Sequence, residues 1–496
     1  MFAPGHEWHG LTLVSRVNPA VLAQVGFNQP GSPGFACPAR AIHGRVEIAK
    51  LDAFARKTTC RQLAHIVVAV LTMTGRITQR GMARWTDPGG SYRTIQRFFQ
   101  TPIDWLAVNG CFFLHFVFDR KGVYLLAGDE TVISKSGKRT FGLDRFFSSL
   151  CDKAIPAVAC FSIALIHVGK RQAYSLSNEQ VVRTEAEKQQ AKDRKQKRKE
   201  RAKKKEPSKP KGRPKGSKNQ KKTQIPLSAE LLRIQTQAKK VCQWLKKRLF
   251  VSYFVLDGHF GNHLACQMVR QLDLHLISKM RSDAALYLEP TPLQKRLRPR
   301  LKYGDRLDFA DLPADLLRSS HTQDGYRTQV YQVRCLHKSF DRRLNVVLLK
   351  KMHLKSERVG HVILFSSDLF LGAEALIDYY SLRFQIEFTF RDAKQHFGLE
   401  DFMGVTQTSV GNAMGLSLFL VNLSTYLLCD LRSRYAGAGI QDLKSWYRGR
   451  FYASAVLKLL PQQPEGIVCD CLVEQICRLG CVPPALANIA DLEMAA

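Results

Sequence analysis

Apolar positions along this chain recur with two periods, and the change between them divides it. Before residue 110 the period is helical. Leu63, Ile66, Val67, Val70 and Leu71 form one stripe, ended by Thr74-Gly75. A short helix is expected over 78–85. A turn at Asp87-Pro88-Gly89-Gly90 follows, and Ser91 caps a third helix. On that helix Tyr92, Ile95, Phe98 and Phe99 point inward, while Arg93, Gln96, Arg97 and Gln100 are left outside. Two readings stand side by side. One is a small DNA-binding domain with Arg93 and Arg97 on its cationic face. The other is a plain helical cap.

From Gly122 short apolar runs alternate with helical segments. Strands are expected at 123–127, 157–168, 174–176, 250–256 and 276–280, with helices at 228–249 and 262–272. That alternation predicts an α/β core. Residues 284–350 change again, to turns and short alternating segments such as 329–333 and 344–349, which reads as a β-rich insertion. A core strand returns at 361–365, then a helix over 380–394. The remainder, from about 401 to 496, is mostly helical. Residues 1–45 are rich in Gly and Pro without clear periodicity and are expected to be disordered.

Composition changes the picture in one respect. The chain is hydrophobic enough, at 45%, for a globular fold, yet it carries a net charge of +33 over 496 residues. Such an excess calls for a polyanionic partner, with nucleic acid ahead of an anionic membrane surface. Residues 183–223 hold 19 Lys and Arg against 5 Asp and Glu, and the rest of the chain is basic as well. This run reads as a solvated, disordered insertion that opens with helix formers. Within it Lys211-Gly212-Arg213-Pro214-Lys215-Gly216 resembles an AT-hook, so Lys211, Arg213 and Lys215 are candidate DNA contacts, by generic phosphate binding or by minor-groove readout.

Other features exclude more than they assign. The opening MFAPGHEWHG lacks a basic segment followed by an apolar run, so no secretory signal is expected. Thirteen Cys without a repeating framework fit a reducing cytosol. Cys469, Cys471, Cys477 and Cys481 cluster without paired CxxC spacing, which favours small buried hydrophobes over zinc ligands. The apolar stretch 413–428 is shorter than the ~20 residues of a membrane span and is read as a buried helix.

Candidate chemistry concentrates on the helix at 380–394. At ~100° per residue, Tyr380, Arg383, Glu387 and Lys394 fall within a wedge of about 60°. Tyr379, Leu382, Ile386, Phe390 and Ala393 form the core stripe elsewhere on the helix. A carboxylate flanked by two cations and a phenol suits phosphodiester chemistry: the carboxylate can hold a metal, the others phosphate oxygens. The same pattern is equally that of an ordinary solvated helix face. Asp129 and Asp257 add weight, since each follows an apolar strand just before a turn, where sheet ends gather ligands. Three carboxylates can hold two Mg²⁺ ions for an in-line displacement at phosphorus.

The order Asp129, Asp257, Glu387, with the Tyr-x₂-Arg-x₃-Glu-x₆-Lys spacing of Tyr380, Arg383, Glu387 and Lys394, resembles the DDE transposases of bacterial insertion sequences, specifically the insertion sequence family four group. Asp129-Glu130-Thr131 with Lys135, Gly137 and Lys138 resembles that group's first motif, and Asp257-Gly258-His259-Phe260 its second. The resemblance covers about residues 50–430. It implies an α/β fold with a ribonuclease-H-like catalytic core over 119–400. That core contains the 183–223 basic insertion and the 284–350 β-rich insertion. A helical DNA-binding domain over 46–118 and a helical region over 401–496 flank it.

By the same resemblance Asp129, Asp257 and Glu387 are catalytic ligands of two Mg²⁺ ions, with Mn²⁺ able to substitute. Tyr380, Arg383 and Lys394 contact the transposon end. Partners are transposon-end and target double-stranded DNA, in a homodimer, with no membrane role and a cytoplasmic, nucleoid-associated setting. The implied activity is cut-and-paste transposition. Alternatives are a nuclease on the same core without strand transfer and a catalytically idle basic DNA-binding protein. Two features depart from the group: no Trp lies in 258–386, where relatives that flip a base can use one, and the basic run is an addition.

Overall fold

The computed structural model describes residues 57–86, 90–148, 151–203, 225–246, 248–461 and 466–481. The Gly/Pro-rich 1–45, the turn at 87–89 and the AT-hook-like Lys211, Arg213 and Lys215 lie outside these residues. Along the chain come α1 (Lys57–Thr72), α2 (Gln79–Arg84), α3 (Tyr92–Gln100) and α4 (Trp105–Phe112), the last running into a π-turn at Phe113–Val117. Strands β1 (Tyr124–Ser134), β2 (Asp144–Ser148), β3 (Lys153–His167) and β4 (Gln172–Val181) follow. Then come α5 (Glu185–Lys203), α6 (Ala229–Leu245), β5 (Tyr253–Leu256), α7 (His263–Arg270) and β6 (His275–Met280); the first half of the basic run, expected to be disordered, is thus helical, in keeping with its helix formers. The chain continues through β7 (Leu286–Tyr287), α8 (Pro292–Leu297), β8 (Leu317–Gln323), β9 (Tyr326–His337), β10 (Leu344–His353) and β11 (Val359–Ser366). It ends with α9 (Ala373–Leu382), α10 (Phe384–His396), α11 (Gln407–Arg434), α12 (Ile440–Leu459) and α13 (Gly466–Arg478).

Two compact units emerge. The described residues up to Thr101, with those from Leu423 onward, form one; Pro102–Asn422 form the other. The boundary therefore falls at Thr101 rather than at 118. The reason is local: α4 has no polar stripe, and its Asn109 amide donates to Trp105 O and Leu176 O while accepting from Asn422, all inside the larger unit. In the smaller unit Ser91 caps α3 as its sequence requires, with Thr94 N–H donating to its hydroxyl. Ile95, Phe98 and Phe99 are buried, whereas Arg93 and Arg97 are exposed. Tyr92 differs from expectation: it lies outside, with the Arg80 guanidinium 5.9 Å from its ring centroid. Arg448 of α12 closes the end of α1, donating to Thr72 O at 2.9 Å. Gly449 is required there, because a Cβ would meet Ile476 O of α13 at 2.6 Å.

The larger unit is built on an 11-stranded sheet in the order β2-β3-β1-β5-β6-β11-β10-β9-β7, with β4 on β3 and β8 on β9. The antiparallel β4-β3-β1 ribbon followed by parallel β5 and β6 is consistent with a ribonuclease-H-like core. From Ala157 to His167 every residue of β3 is buried. Such a run reads as continuous rather than alternating because both faces are covered. The β-rich segment expected over 284–350 is not a separate sheet. Its strands β9 and β10 pair through β11 onto β6, so they extend the core sheet. The apolar stretch near 413–428 lies in α11, long and apolar enough to cross a membrane by length and composition; 78% of its apolar window is buried inside the protein.

Candidate active site

Backbone register brings the two aspartates together. In the parallel pair β1–β5, Gly128 stands opposite Leu256. Asp129 and Asp257 are the next residue on each strand, at the C-terminal end of β5. Adjacent strands lie ~4.8 Å apart, so the two carboxylates are neighbours by construction. Gly128 permits the close fit: a Cβ there would meet Leu256 and Phe161 side-chain carbons at 2.9 Å. Asp129 differs from its expected place at a strand end. The strand runs on to Ser134, because residues 129–134 stay paired with β3.

Asp257 is held by the turn it opens. Its Oδ1 accepts from His259 N at 3.2 Å, capping the 3₁₀ turn Gly258–Phe260. Its carbonyl accepts from the buried Ser278 hydroxyl at 2.6 Å. Gly261 lies so close to Lys279 O that no side chain fits. His259 reaches the Glu230 carboxylate at 3.3 Å. No sequence signal singled out Ser278 or Glu230, since a strand Ser and a helix Glu are unremarkable without their partners.

The third side comes from α9 and α10. The single helix expected over 380–394 is two, joined at Arg383, where the turn tightens and Arg383 N–H donates to Tyr380 O. Of the expected core stripe Leu382, Ile386, Phe390 and Ala393 are buried, whereas Tyr379 is half-buried. The expected open cationic face is not formed. Arg383 is only 7% exposed. Its Nη1 donates to Asp129 Oδ2 at 2.8 Å and its Nη2 to Glu387 Oε1 at 2.7 Å. Lys394 is also turned inward, donating to Val132 O of β1 at 2.8 Å and lying 3.6 Å from Glu400. Lys135, beside the first Asp motif, donates to Glu400 O and Phe402 O and lies 3.4 Å from the Phe402 ring centroid.

Electrostatics tie the group into one site. Burial pushes the Asp129 carboxyl up to about 6, against the pull of Arg383 and the Glu130 amide; the charges of Asp257 and Glu387 push the same way as burial. Burial likewise raises the Tyr380 phenol, opposed by the charge and hydrogen bond of Arg383 and assisted by Asp257 and Glu387. Burial disfavours the Arg383 cation, yet Asp129, Glu387 and Tyr380 outweigh it and its pKa is raised. Tyr380, Arg383, Glu387, Asp129 and Asp257 therefore share one space, with Lys394 at its margin. Arg93 and Arg97 belong to the other unit.

The donor chemistry suits a hard divalent ion: three carboxylates from three elements, two already facing a common cation. Among the described residues no three acidic, His or Cys groups close around an ion position. In this arrangement a guanidinium stands between Asp129 and Glu387. The C-terminal cysteines divide: Cys477 is buried, Cys481 donates to Asp442 O, and Cys471 is exposed.

A mixed α/β sheet with carboxylates converging beside a parallel strand pair, in a strongly basic chain, defines a nucleic-acid-processing enzyme of the DDE type. The chain belongs to the DDE superfamily endonucleases, whose sequence model matches residues 51–339, more than half its length. No curated protein matches it. The match takes in Asp129 and Asp257 and stops before Tyr380, Arg383 and Glu387. Glu387 lies outside the matched residues and meets Asp129 through Arg383.

Proposed function

We propose that this endonuclease-family protein is a cut-and-paste transposase related to the insertion sequence family four group. The observation that carries the reading is the convergence of Glu387 with Asp129 through Arg383, beside Asp257. The family match covers only two of those carboxylates, and the third arrives on a helix with the Tyr380, Arg383, Lys394 spacing.

In this reading Asp129, Asp257 and Glu387 would hold Mg²⁺, two ions per site with Mn²⁺ as a substitute, and the bound metal would supply activation of the attacking oxygen and charge neutralisation at phosphorus. Everything else falls to the chain. Asp257 is fixed at its backbone by Ser278, so its carboxylate is oriented before substrate arrives. The phenol of Tyr380, kept protonated by its surroundings, donates a hydrogen bond to a phosphate oxygen. Arg383 and Lys394 exchange their internal acceptors for phosphate oxygens of the end DNA. Arg93, Arg97 and the basic run, Lys211, Arg213 and Lys215 included, supply sequence-independent affinity. Water attack releases a 3′-hydroxyl, which then attacks a target phosphodiester at the same site. A homodimer on paired ends, in the bacterial nucleoid, suits that sequence of steps.

The test is an assay with labelled ends and a supercoiled target in Mg²⁺. Joined product supports a transposase. Cleavage without joining supports a nuclease on the same core. Binding alone would return the chain to an idle DNA-binding protein.

A further inference from the structure

The sheet carries the face that holds the carboxylates well past them. Parallel register sets Val255 opposite Ile277, so Asp257 and Lys279, each two residues on, share a face. Lys279 pairs with Leu364 of β11, and Gly360 of that strand pairs with Lys351 of β10. Lys351 pairs in turn with Thr328 of β9, and His353 with Tyr326. Paired residues point to one side and alternate residues keep it, so Asp257, Lys279, Lys351, His353 and Tyr326 leave one face. The chain enters α9 on that face, where Gln332 and Asn345 donate to Leu371 O. The cover ends there: Leu364 is buried, while Val362, Gly360 and Lys351 are exposed. The bare strip starts beside the Asp257 turn, where a Cβ on Gly258 would stand 3.7 Å from that of Lys279. Arg281 shares a cleft of about 600 Å³ with Lys279 and Val362.

The strip is cationic. Lys279 is exposed and has no carboxylate partner among the described residues. Lys351 lies 4.9 Å from the Tyr326 ring centroid, and His353 meets the same ring edge-on at 4.9 Å. Arg281 pairs with Asp283, but both side chains are well exposed, and a phosphate competes well with so weak a pair. The hairpin beyond adds Lys355 and Arg358 against Glu357. From Lys279 to Lys351 is two strands across and four residues along, ~10 Å and ~13 Å, a span of roughly 16 Å. DNA advances ~3.4 Å per base pair, so the strip matches about five base pairs. A row of cations of that length, opening from the carboxylates, complements a duplex backbone better than a small anion.

We propose that Lys279, Arg281 and Lys351 form a phosphate track that holds about five base pairs of duplex DNA along the sheet and leads it to the Asp129–Asp257 edge. The inference rests on the reading of DNA as the substrate of that edge, and adds where the flanking duplex lies.

Lysine acetylation read by mass spectrometry tests it without reference to activity. The full-length chain is labelled in chelator, alone and with a mixed-sequence duplex of about 20 base pairs, two helical turns. Duplex should slow labelling of Lys279 and Lys351 about fivefold or more, and leave Lys121, at the opposite end of β1, nearly unchanged. Protection of Lys279 and Lys351 no greater than that of Lys121 would overturn the proposal. Lys279→Gln with Lys351→Gln should lower duplex affinity roughly tenfold near 0.1 M salt and make the slope of log K against log salt shallower by about 2. Arg120→Gln with Lys121→Gln removes equal charge at the opposite end and should change both little. Equal losses from the two pairs would reduce the track to bulk charge and overturn it. Labelling uses wild type, so it decides even where a variant misfolds. If the protein cleaves labelled ends while Lys279 and Lys351 stay unprotected, only the track fails. If no duplex binds at all, the reading of DNA as substrate fails and the track with it.

Discussion

The two sides of the site are held by different means. Asp129 and Asp257 are placed by backbone: adjacent parallel strands, a register fixed by Gly128 against Leu256, and a carbonyl anchored by Ser278. Glu387, Arg383 and Tyr380 are placed by side-chain contacts across a helix joint. A strand register cannot slip by one residue without turning its side chains over, so the first side is fixed. Side-chain ion pairs across a joint are not locked by backbone register, so the second side is where a phosphate can compete for the guanidinium. The difference teaches that rigidity and responsiveness have been separated onto different elements of one centre.

The largest effect should come from removing charge on either side. Asp129→Asn, Asp257→Asn and Glu387→Gln each keep volume and remove a proposed metal ligand, and each should lower cleavage by on the order of a thousandfold or more with DNA binding largely kept. If Glu387→Gln cleaves near the wild-type rate while both aspartate variants do not, the helix side is not part of the catalytic centre. Next in size is Arg383→Lys. An ammonium is a point charge and cannot span Asp129 and Glu387 as the fork does. Cleavage of uncut ends should fall by roughly ten- to a hundredfold, and generic duplex affinity should hardly change. Wild-type rates for this variant would show that charge alone matters on the helix side.

How much of this was legible in the sequence follows the same division. Strand runs, the Ser91 cap and the stripe Leu382, Ile386, Phe390, Ala393 are local periodicities, and the fold bears them out. Asp129 and Asp257 could be singled out because each follows an apolar run, although β1 extends past its aspartate. The fate of Arg383 and Lys394 was not legible. Helical spacing gives the direction a side chain leaves the axis, not the carboxylate or carbonyl waiting in another element. The 284–350 strands show the same limit: alternation marks strands but not which edge they join. Nothing in the local pattern distinguishes Ser278 from any other strand serine.

The strand side should also reveal itself in stability without DNA or metal. The Asp129 carboxyl is pushed up to about 6 from 3.8, chiefly by burial. A folded-state pKa above the unfolded value means stability is fully present below about pH 4 and is lost as pH rises through about 6. The loss is at most about 3 kcal/mol, because a tenfold change in proton affinity is worth ~1.4 kcal/mol. Metal-free wild type should therefore lose midpoint stability in urea across that window, and Asp129→Asn should lose less of it. A parallel pH profile for the two proteins would mean that the strand side is not strained by its own charge.

The basic run offers a control that touches neither side. Glu187 is bound by Arg233 of α6, and Arg183 lies 4.4 Å from the Phe146 ring centroid. Deletion should therefore begin after Glu187, over 189–223. Generic DNA affinity should fall about tenfold near 0.1 M salt with a shallower salt dependence, because fewer counterions are released. The cleavage rate at saturating DNA should be unchanged. A fall in that rate would tie the run to the catalytic centre.

The smallest effect expected is the most discriminating. Ser278→Ala removes one hydroxyl, buried and 2.6 Å from Asp257 O, without altering charge. The lost hydrogen bond should cost about 1 kcal/mol of stability. Because the carbonyl anchor sets where the Asp257 carboxylate points, the rate at saturating DNA should fall a few-fold, on the order of 1 kcal/mol in the barrier. DNA affinity should not move, since the Ser278 hydroxyl is buried and spent on a backbone carbonyl. Restoring a hydroxyl with Ser278→Thr should recover part of the rate if the methyl is accommodated in the strand. If Ser278→Ala instead leaves the rate untouched while lowering stability, backbone register alone holds Asp257. The strand side would then be more rigid than its hydrogen bonds imply, and the contrast with the helix side would be sharper.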